Sequence, residues 1–172
     1  MRRRTPLLCL LALTACGGGT PDPALGPPDA AAFDRWVGAA PFAGFETPED
    51  FRNRFGPPES RDAVPQANRH VEGQTDSILT LTFEGPVEVR FYAITGGRTL
   101  PMSVEVRDSG ILDGPVDVGT AWTRVEAAFG PPDGERDGRP YYLRDGSGAE
   151  EPVLFSVSRG RVTAIRFTYY VD

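Results

Sequence analysis

Residues 55–58 read Phe-Gly-Pro-Pro, and residues 129–132 repeat these four residues 74 positions further along the chain. A glycine after a helix readily adopts the positive φ that ends it, and a following proline prevents the helix from continuing. Each copy therefore predicts a helix that ends at a phenylalanine, Phe55 in the first copy and Phe129 in the second. The same helix stop at two places indicates that a larger unit occurs twice.

The residues before Phe55 carry the start signals of a short helix. Thr47 is a favoured N-cap residue, Pro48 suits the first helical position, and two acidic residues follow in the first turn. Phe51 and Phe55 are four residues apart, so they share one face of this helix. The sequence therefore predicts a helix that starts after Thr47 and buries its phenylalanines.

Two further helices are predicted by the same reasoning. Before Phe129, Thr120 is the expected N-cap, and Trp122 and Val125 share a face with Phe129 at spacings of three and four. Closer to the N-terminus, a short helix after Asp29 places three apolar residues on one face: Phe33, Trp36 and Val37.

Alternating apolar residues predict strands after both helix stops. The apolar positions of the two copies align at the offset of 74, and a second pair of strands, 89–91 and 165–167, aligns at an offset of 76. The aligned residues are Leu79, Leu81 and Phe83 in the first copy and Val153, Phe155 and Val157 in the second. The stretch 99–108 predicts one more strand between the copies.

These elements predict an α+β fold, with short helices packed on one face of an antiparallel sheet and two tandem helix-plus-sheet repeats. The first and more degenerate repeat is expected over residues 32–110, and the second over residues 111–172. A chance similarity between two helix-to-strand turns is the alternative explanation of the repeated Phe-Gly-Pro-Pro.

A series of residues in the second half of the chain follows a known pattern: Val118-Gly119-Thr120, Val125, Gly130, Pro132, the strand with Tyr141 and Tyr142, and Gly160-Arg161-Val162 leading to Ile165. With these residues the second half of the chain resembles the BamE/SmpA/OmlA family of envelope lipoproteins. The chain is also similar to the halves of the tandem-repeat β-lactamase-inhibitory protein. These resemblances imply a helix pair followed by an antiparallel sheet, a protein-binding role in the cell envelope, and no catalytic residues to carry over.

The N-terminal residues predict a lipoprotein signal peptide over residues 1–15. Three arginines at positions 2–4 precede the apolar run 7–13, which is too short to cross a bilayer as a helix. The tetrad Leu13-Thr14-Ala15-Cys16 matches a bacterial lipobox, which implies cleavage before Cys16 and attachment of lipid to that residue. An ordinary secretory signal that happens to end near a cysteine is the alternative.

Residues 16–31 are expected to form the lipidated Cys16 and a flexible tether, because the stretch after Cys16 is rich in glycine and proline. The residue after Cys16 is Gly17 rather than aspartate. In a Gram-negative host this favours the outer membrane, with the domain facing the periplasm. Cys9 lies in the signal peptide, so no disulfide is expected in the mature chain.

The charge balance argues against a nucleic-acid partner. All 18 basic residues are arginine, they face 24 acidic residues, and the formal net charge is −6. An acidic surface is repelled by anionic headgroups, so membrane attachment is expected to depend on the lipid at Cys16. The 20 glycines and 17 prolines indicate many turns and short elements rather than long helices.

Few residues are suited to catalysis or metal binding. His70 is the only histidine, its neighbours 69–72 are interpreted as a strand entry, and no HExxH, CxxC or P-loop spacing occurs. Residues 133–138 match the first half of a calcium loop, but Arg144 stands where the loop needs a glutamate. Residues 133–138 are therefore interpreted as a polar turn. The sequence predicts a protein that is not an enzyme, with no cofactor and no metal.

Strand alternation predicts the residues on the sheet face away from the helices. Tyrosine and arginine often anchor protein interfaces, because each combines a large contact area with a polar tip. The candidate interaction face therefore comprises Arg90, Tyr92, Arg166, Thr168 and Tyr170. An ordinary solvated sheet face is the alternative interpretation.

The expected function is that of a lipid-anchored, non-catalytic protein-interaction module whose partners are proteins of the cell envelope. Tethering by the lipid on Cys16 raises the effective concentration of the domain near such partners. A periplasmic small-molecule-binding or enzyme-inhibitory protein that uses the same sheet face is the alternative, and a hydrolase comes third.

Overall fold

The computed structural model describes residues 30–144 and 151–169. Within these ranges the chain forms three short helices and eight strands. The helices are α1 (Ala30–Gly38), α2 (Pro48–Phe55) and α3 (Trp122–Phe129). The strands are β1 (Ser60–Ala67), β2 (Thr75–Phe83), β3 (Val87–Ala93), β4 (Thr99–Val106), β5 (Gly134–Arg136), β6 (Arg139–Leu143), β7 (Pro152–Ser158) and β8 (Arg161–Thr168). No helix in these ranges is long and apolar enough to cross a membrane.

All eight strands of the described ranges belong to one antiparallel sheet with the order β1-β2-β3-β4-β8-β7-β6-β5. The chain builds one half of the sheet in sequence order and the other half in reverse order. The halves meet where β4 pairs with β8, with Val104 opposite Phe167 and Val106 opposite Ile165. The central strands therefore come from distant parts of the chain.

The predicted fold of two tandem helix-plus-sheet repeats is wrong. The strands form a single eight-stranded sheet, and only three short helices accompany it in the described ranges. In addition, α1 precedes the first half of the sheet but packs on the second: the Trp36 ring lies 5.2 Å from Phe129 and 5.5 Å from Phe167. This position buries the aromatic side chains of α1, because Phe33 and Trp36 pack against aromatic rings of α3 and of the last strands.

The core lies between the helices and one face of the sheet. On α2, the buried Phe51 packs against Phe83 and Phe91, with ring centroids 6.4 Å and 5.7 Å away. On the other half, Phe155 and Ile165 are fully buried beneath α1 and α3. Burial of apolar side chains is the main favourable contribution to folding, so the helices hold the sheet together from this side.

The structure confirms the predicted N-cap of α2 and contradicts the predicted N-cap of α3. The Thr47 side chain accepts a hydrogen bond from the Asp50 amide, and the Asp50 carboxylate accepts from the Thr47 amide, which completes a capping box. Thr120, in contrast, is not the N-cap of α3. Its hydroxyl accepts from the Asp117 amide at 3.0 Å, and Ala121 occupies the cap position without a side-chain bond. Thr120 is therefore used by the turn that precedes the helix.

Two loop predictions are corrected or refined by the structure. Residues 69–72 do not enter a strand but lie in the loop between β1 and β2. Residues 133–138 contain β5 and the turn of the β5–β6 hairpin, and the turn residues Asp137 and Gly138 have φ of 53° and 72°. Positive φ at both central positions is typical of a two-residue hairpin turn. Residues 133–138 are therefore not a single turn, because Glu135 lies in β5 and Asp137 in the turn that follows it.

Candidate functional site

One face of the sheet carries none of the three helices of the described ranges, and it is here called the open face. Alternation along the strands places Thr80 of β2, Arg90 of β3, Ser103 of β4 and Thr168 of β8 on it. Thr80 lies opposite Arg90, Arg90 opposite Ser103, and Ser103 opposite Thr168, so these four residues form one row across the sheet. Adjacent strands are about 4.8 Å apart, so the row spans roughly 14 Å.

Arg90 occupies the middle of this row. Its side chain is half-buried, and it forms no hydrogen bond or ion pair with any residue in the described ranges. The neighbours opposite it, Thr80 and Ser103, are small and uncharged. Arg90 therefore presents its guanidinium from the open face without a partner among the residues that the structure describes.

Arg166, also predicted for the interaction face, is occupied by an internal ion pair. It lies opposite Glu105 in the sheet, and its Nε and Nη2 both donate to Glu105 Oε2. The Glu105 side chain is only 7% exposed and also accepts from Arg107 Nε at 2.6 Å. Charge-assisted bonds to a buried carboxylate are strong. Arg166 is thus less available to a partner than Arg90.

Glu88 completes this charged cluster. It lies opposite Glu105 on the neighbouring strand, an arrangement of like charges that is unfavourable on its own. Arg107 Nη1 lies 3.5 Å from Glu88 Oε2, so the same arginine contacts both glutamates. With Arg166 the cluster holds two positive and two negative groups, which makes it locally neutral.

The other three residues predicted for the interaction face are Tyr92, Thr168 and Tyr170. Thr168 is half-buried, and its hydroxyl donates a 2.5 Å hydrogen bond to the Pro152 carbonyl. Tyr170 lies outside the described residues, as do Cys16 and the whole of the predicted signal peptide. Tyr92 lies on the open face two residues from Arg90, with its hydroxyl 2.7 Å from Asp76 Oδ2.

Asp76 is fully buried at the start of β2 and accepts hydrogen bonds from four groups. The donors are Asn68 Nδ2 at 2.6 Å, Gln74 Nε2 at 2.8 Å, Tyr92 Oη at 2.7 Å and the Thr95 amide at 2.9 Å. The bond from the Thr95 amide, supported by those from the side chains, holds the pKa of Asp76 well below its usual range. The Asp76 carboxylate is therefore negatively charged, and its hydrogen-bonding capacity is taken up by groups inside the protein.

Asn68 links the buried Asp76 to the β1–β2 loop. Its Oδ1 accepts hydrogen bonds from the amides of His70 and Val71, both at 2.7 Å, while its Nδ2 is held by Asp76. An Asn side chain that bonds to amides two and three residues ahead closes a tight local turn. Asp76 thus fixes the position of Arg69 and His70 through Asn68.

A cavity of about 270 Å³ lies on the open face between this loop and the sheet. Ile78, Tyr92 and Met102 form its sheet side, and Arg69 and His70 contribute basic groups from the loop. The complete lining in the described ranges is Gln66, Ala67, Arg69, His70, Ile78, Tyr92 and Met102. This cavity combines an apolar surface with basic groups and has no acidic residue in that lining.

Sequence reasoning did not identify Arg69, Ile78, Met102 and Asp76 as a group. Ile78 and Asp76 have the same parity along β2 as Thr80, so strand alternation alone places them on the open face. The contribution of Arg69 depends on the shape of the loop, which Asn68 and Asp76 set. An Asn near a strand end followed by a short polar stretch is the one local signal that points to such a turn.

His70 has no side-chain hydrogen bond to any residue that the structure describes. A catalytic histidine is normally oriented by a hydrogen-bonded partner. The described residues also contain no group of three or more His, Cys, Asp or Glu side chains placed to hold a metal ion. Asp133 is the first acidic residue of the stretch 133–138, which resembles part of a calcium loop. Its carboxylate accepts a hydrogen bond from the Leu143 amide at 2.7 Å.

No known protein family matches the sequence, and no curated protein matches it. Among solved structures, the chain is similar to a cysteine-rich secretory protein from Staphylococcus aureus, with 13% identity and a TM-score of 0.41. The similarity covers 84% of this chain and 48% of that protein, so this chain spans about half of its length.

The expected resemblance to the BamE/SmpA/OmlA family is therefore corrected. No protein family matches the chain, so neither this resemblance nor the similarity to the halves of β-lactamase-inhibitory protein is supported. The residues that suggested the resemblance have local roles instead. Gly130 ends α3, Tyr142 donates to the Gly130 carbonyl at 2.7 Å, and Gly119 lies in the turn before α3. Glycines and aromatic residues with such roles occur in many unrelated folds.

Proposed function

We propose that this chain is a lipid-anchored protein of the bacterial cell envelope that binds a partner protein, without catalysis, through its open face. The lipid on Cys16 would hold it at the outer membrane, facing the periplasm. The single observation that supports the binding role is the half-buried Arg90 in the middle of the open face, which has no hydrogen-bond or ion-pair partner among the described residues. Arginine at the centre of a surface is a frequent anchor of protein interfaces.

The partner is proposed to present a carboxylate to Arg90. The chain as a whole is acidic, with a net charge of −6, and Thr80 and Ser103 beside Arg90 are neutral. An acidic group on a partner is thus attracted at this point and repelled by much of the remaining surface. This pattern favours one orientation of the complex over others.

A site-specific photo-crosslinking amino acid tests the binding face in living cells. Placed at Thr80, it is expected to give a crosslinked species that the same amino acid at Thr123 does not give. Thr123 is exposed on α3, on the opposite side of the sheet, and so provides the control. The crosslink should weaken with Arg90→Gln and persist with Arg124→Gln. Equal crosslinking from both positions, or no effect of Arg90→Gln, would contradict the proposal.

The lipid anchor has its own test. Metabolic labelling with a radioactive fatty acid should label the wild-type protein, and membrane fractionation should find it with the outer membrane. Cys16→Ser removes the thiol that carries the lipid, so label and membrane association should both be lost. An unlabelled wild-type protein would overturn the anchor without affecting the proposed binding face.

The cavity beside Tyr92 favours a second candidate function, the binding of a small molecule. Ligand sites are concave and mostly apolar, with a few placed polar groups. Ile78 and Met102 with Arg69 match that description. This function is compatible with the first, because the cavity and Arg90 lie on the same face.

A further inference from the structure

We infer that the cavity between the β1–β2 loop and the sheet binds a small organic carboxylate with an apolar body. The inference rests on the second candidate function and adds to it the chemical class of the ligand. Its basis is the combination of apolar surface, basic groups and a preformed shape in one cavity.

The apolar part of the ligand is matched by the sheet side of the cavity. Ile78 and Tyr92 lie opposite each other on β2 and β3, and Met102 lies at the bulge between β3 and β4. An aromatic ring and two flexible or branched apolar side chains suit a flat or branched hydrocarbon group. The volume of about 270 Å³ lies just below the ~300–1,000 Å³ of sites for drug-sized molecules, so the ligand is small.

The charged part of the ligand is matched by Arg69 and His70 on the loop side. A guanidinium presents two parallel N–H donors that fit a carboxylate. Asp76 lies behind the cavity wall, where it is bonded to Tyr92, and its carboxylate is saturated by four hydrogen bonds and closed to solvent. Asp76 therefore does not offer Arg69 a competing partner at the cavity surface.

The cavity is also preorganised. The loop that carries Arg69 and His70 is held by two bonds from backbone amides to Asn68, and Asn68 is bonded to the buried Asp76. The Tyr92 hydroxyl is bonded to the same carboxylate. Because one buried group fixes both the sheet side and the loop side, the ligand does not have to order the site on binding, which favours affinity.

Binding of phenylacetate to the full-length protein tests this inference, with the neutral phenylacetamide as its matched probe. Phenylacetate should bind at least about tenfold more tightly than the amide in a calorimetric titration, because only the acid forms charge-assisted bonds. Arg69→Gln should weaken phenylacetate about tenfold and leave the amide unchanged. Arg124→Gln, which removes an exposed arginine on α3, should change neither affinity.

Location is checked by NMR, in which phenylacetate should shift the methyl signals of Ile78 and Met102. Since loop variants can disturb folding, thermal unfolding of Arg69→Gln is compared with the wild type, and His70→Gln is a second variant in the same loop, expected to weaken phenylacetate. Equal binding of acid and amide, an unaffected Arg69→Gln, or no binding of either probe would overturn the inference.

A pentapeptide that ends in phenylalanine separates a free acid from a polypeptide terminus. The peptide carries the same two groups as phenylacetate, a carboxylate and a phenyl ring, at the end of a longer chain. If the peptide binds more tightly than phenylacetate, the ligand is a protein terminus and the inference of a small acid fails. The crosslinking from Thr80 is an independent measurement, so the interaction face can stand when this cavity proposal falls, and the reverse also holds.

Discussion

The Tyr92 hydroxyl donates a 2.7 Å hydrogen bond to Asp76 Oδ2, and this bond joins the open face to a buried carboxylate. The same bond is the main reason that the pKa of Tyr92 is raised. Asp76 also binds Asn68 of the β1–β2 loop and the Thr95 amide of the β3–β4 loop. One carboxylate therefore connects two loops and the wall of the cavity.

Replacing Asp76 with Asn should make the free energy of unfolding less dependent on pH in the acidic range. The native pKa of Asp76 is lowered below the unfolded value of 3.8, mainly by the Thr95 amide, so the native state binds fewer protons. The stabilisation is complete above about pH 5 and is lost as the pH falls below 3.8 toward the native pKa. Asp76→Asn should thus be less stable than the wild type at pH 7, and the difference should shrink toward pH 3.

Urea unfolding at pH 7, 4 and 3 measures this difference. Asp62→Asn, an exposed residue on β1, serves as the control for the loss of one acidic group. A stability difference between the wild type and Asp76→Asn that stays constant over this pH range would show that the charge of Asp76 is not the stabilising feature.

The two glutamates of the charged cluster should respond differently to substitution. Glu105→Gln weakens bonds from both Arg107 and Arg166, and is expected to cost about 1–3 kcal/mol of unfolding free energy. Glu88 has a longer contact, 3.5 Å to Arg107, and both side chains are partly exposed, so Glu88→Gln should cost less than about 1 kcal/mol. Chemical denaturation of both variants checks this order, and equal losses would contradict it.

Local signals predicted several elements well. The capping residues after Thr47 and the helix stop at Gly56 predicted α2, because both act within a few residues of sequence. The alternation of Leu79, Leu81 and Phe83 predicted the buried face of β2. Such features depend only on neighbouring residues and on the side-chain period of the element.

What sequence could not predict depends on distant parts of the chain. The pairing of β4 with β8 brings Glu105 opposite Arg166, 61 residues away, and so turns a candidate interface arginine into an internal ion pair. The packing of α1 on the last strands likewise depends on aromatic partners far along the sequence. Strand alternation predicts the face on which a residue lies, but its partners there follow from strand order and register.

Alanine at the two helix-ending glycines should destabilise the fold. Gly56 has φ and ψ of 82° and −168°, and Gly130 has 88° and −173°, a backbone region essentially restricted to glycine. Each Gly→Ala change is expected to cost about 1–3 kcal/mol, although an added Cβ meets no atom within 4 Å at either site. Gly38, at the end of α1, has no positive φ and serves as the control, with a change within about 0.5 kcal/mol. Thermal unfolding with no loss at Gly56 and Gly130 would contradict the strain argument.

Trp36 should be essential for stability even though it lies in the first helix. Its ring contacts Phe129, Phe155 and Phe167, and its Nε1 donates to the Val116 carbonyl at 3.0 Å. Trp36→Ala is expected to cost about 3–5 kcal/mol, and Trp36→Phe, which keeps a ring but leaves the Val116 carbonyl unpaired, about 1–3 kcal/mol. Denaturant titration measures both. A loss below about 1 kcal/mol for Trp36→Ala would mean that α1 is dispensable.

Pro65 should protect the free edge of the sheet from self-association. Every residue of the edge strand β1 is exposed. The Asn68 amide bonds to the Gln74 carbonyl, and because hydrogen-bonded and non-hydrogen-bonded pairs alternate, the backbone of Pro65 points away from β2. Pro65 thus withholds a donor from the outer edge, where an unpaired strand invites pairing with another chain.

Pro65→Val restores that donor and adds a strand-favouring apolar side chain beside the exposed Val64. Light scattering of the variant should detect dimers or larger species at concentrations where the wild type does not form them. Pro65→Lys restores the same N–H with a charged side chain, and should remain at the wild-type mass because charge opposes edge-to-edge pairing. If Pro65→Val keeps the wild-type mass as well, the edge is protected by other features of β1, such as its charged residues Arg61 and Asp62.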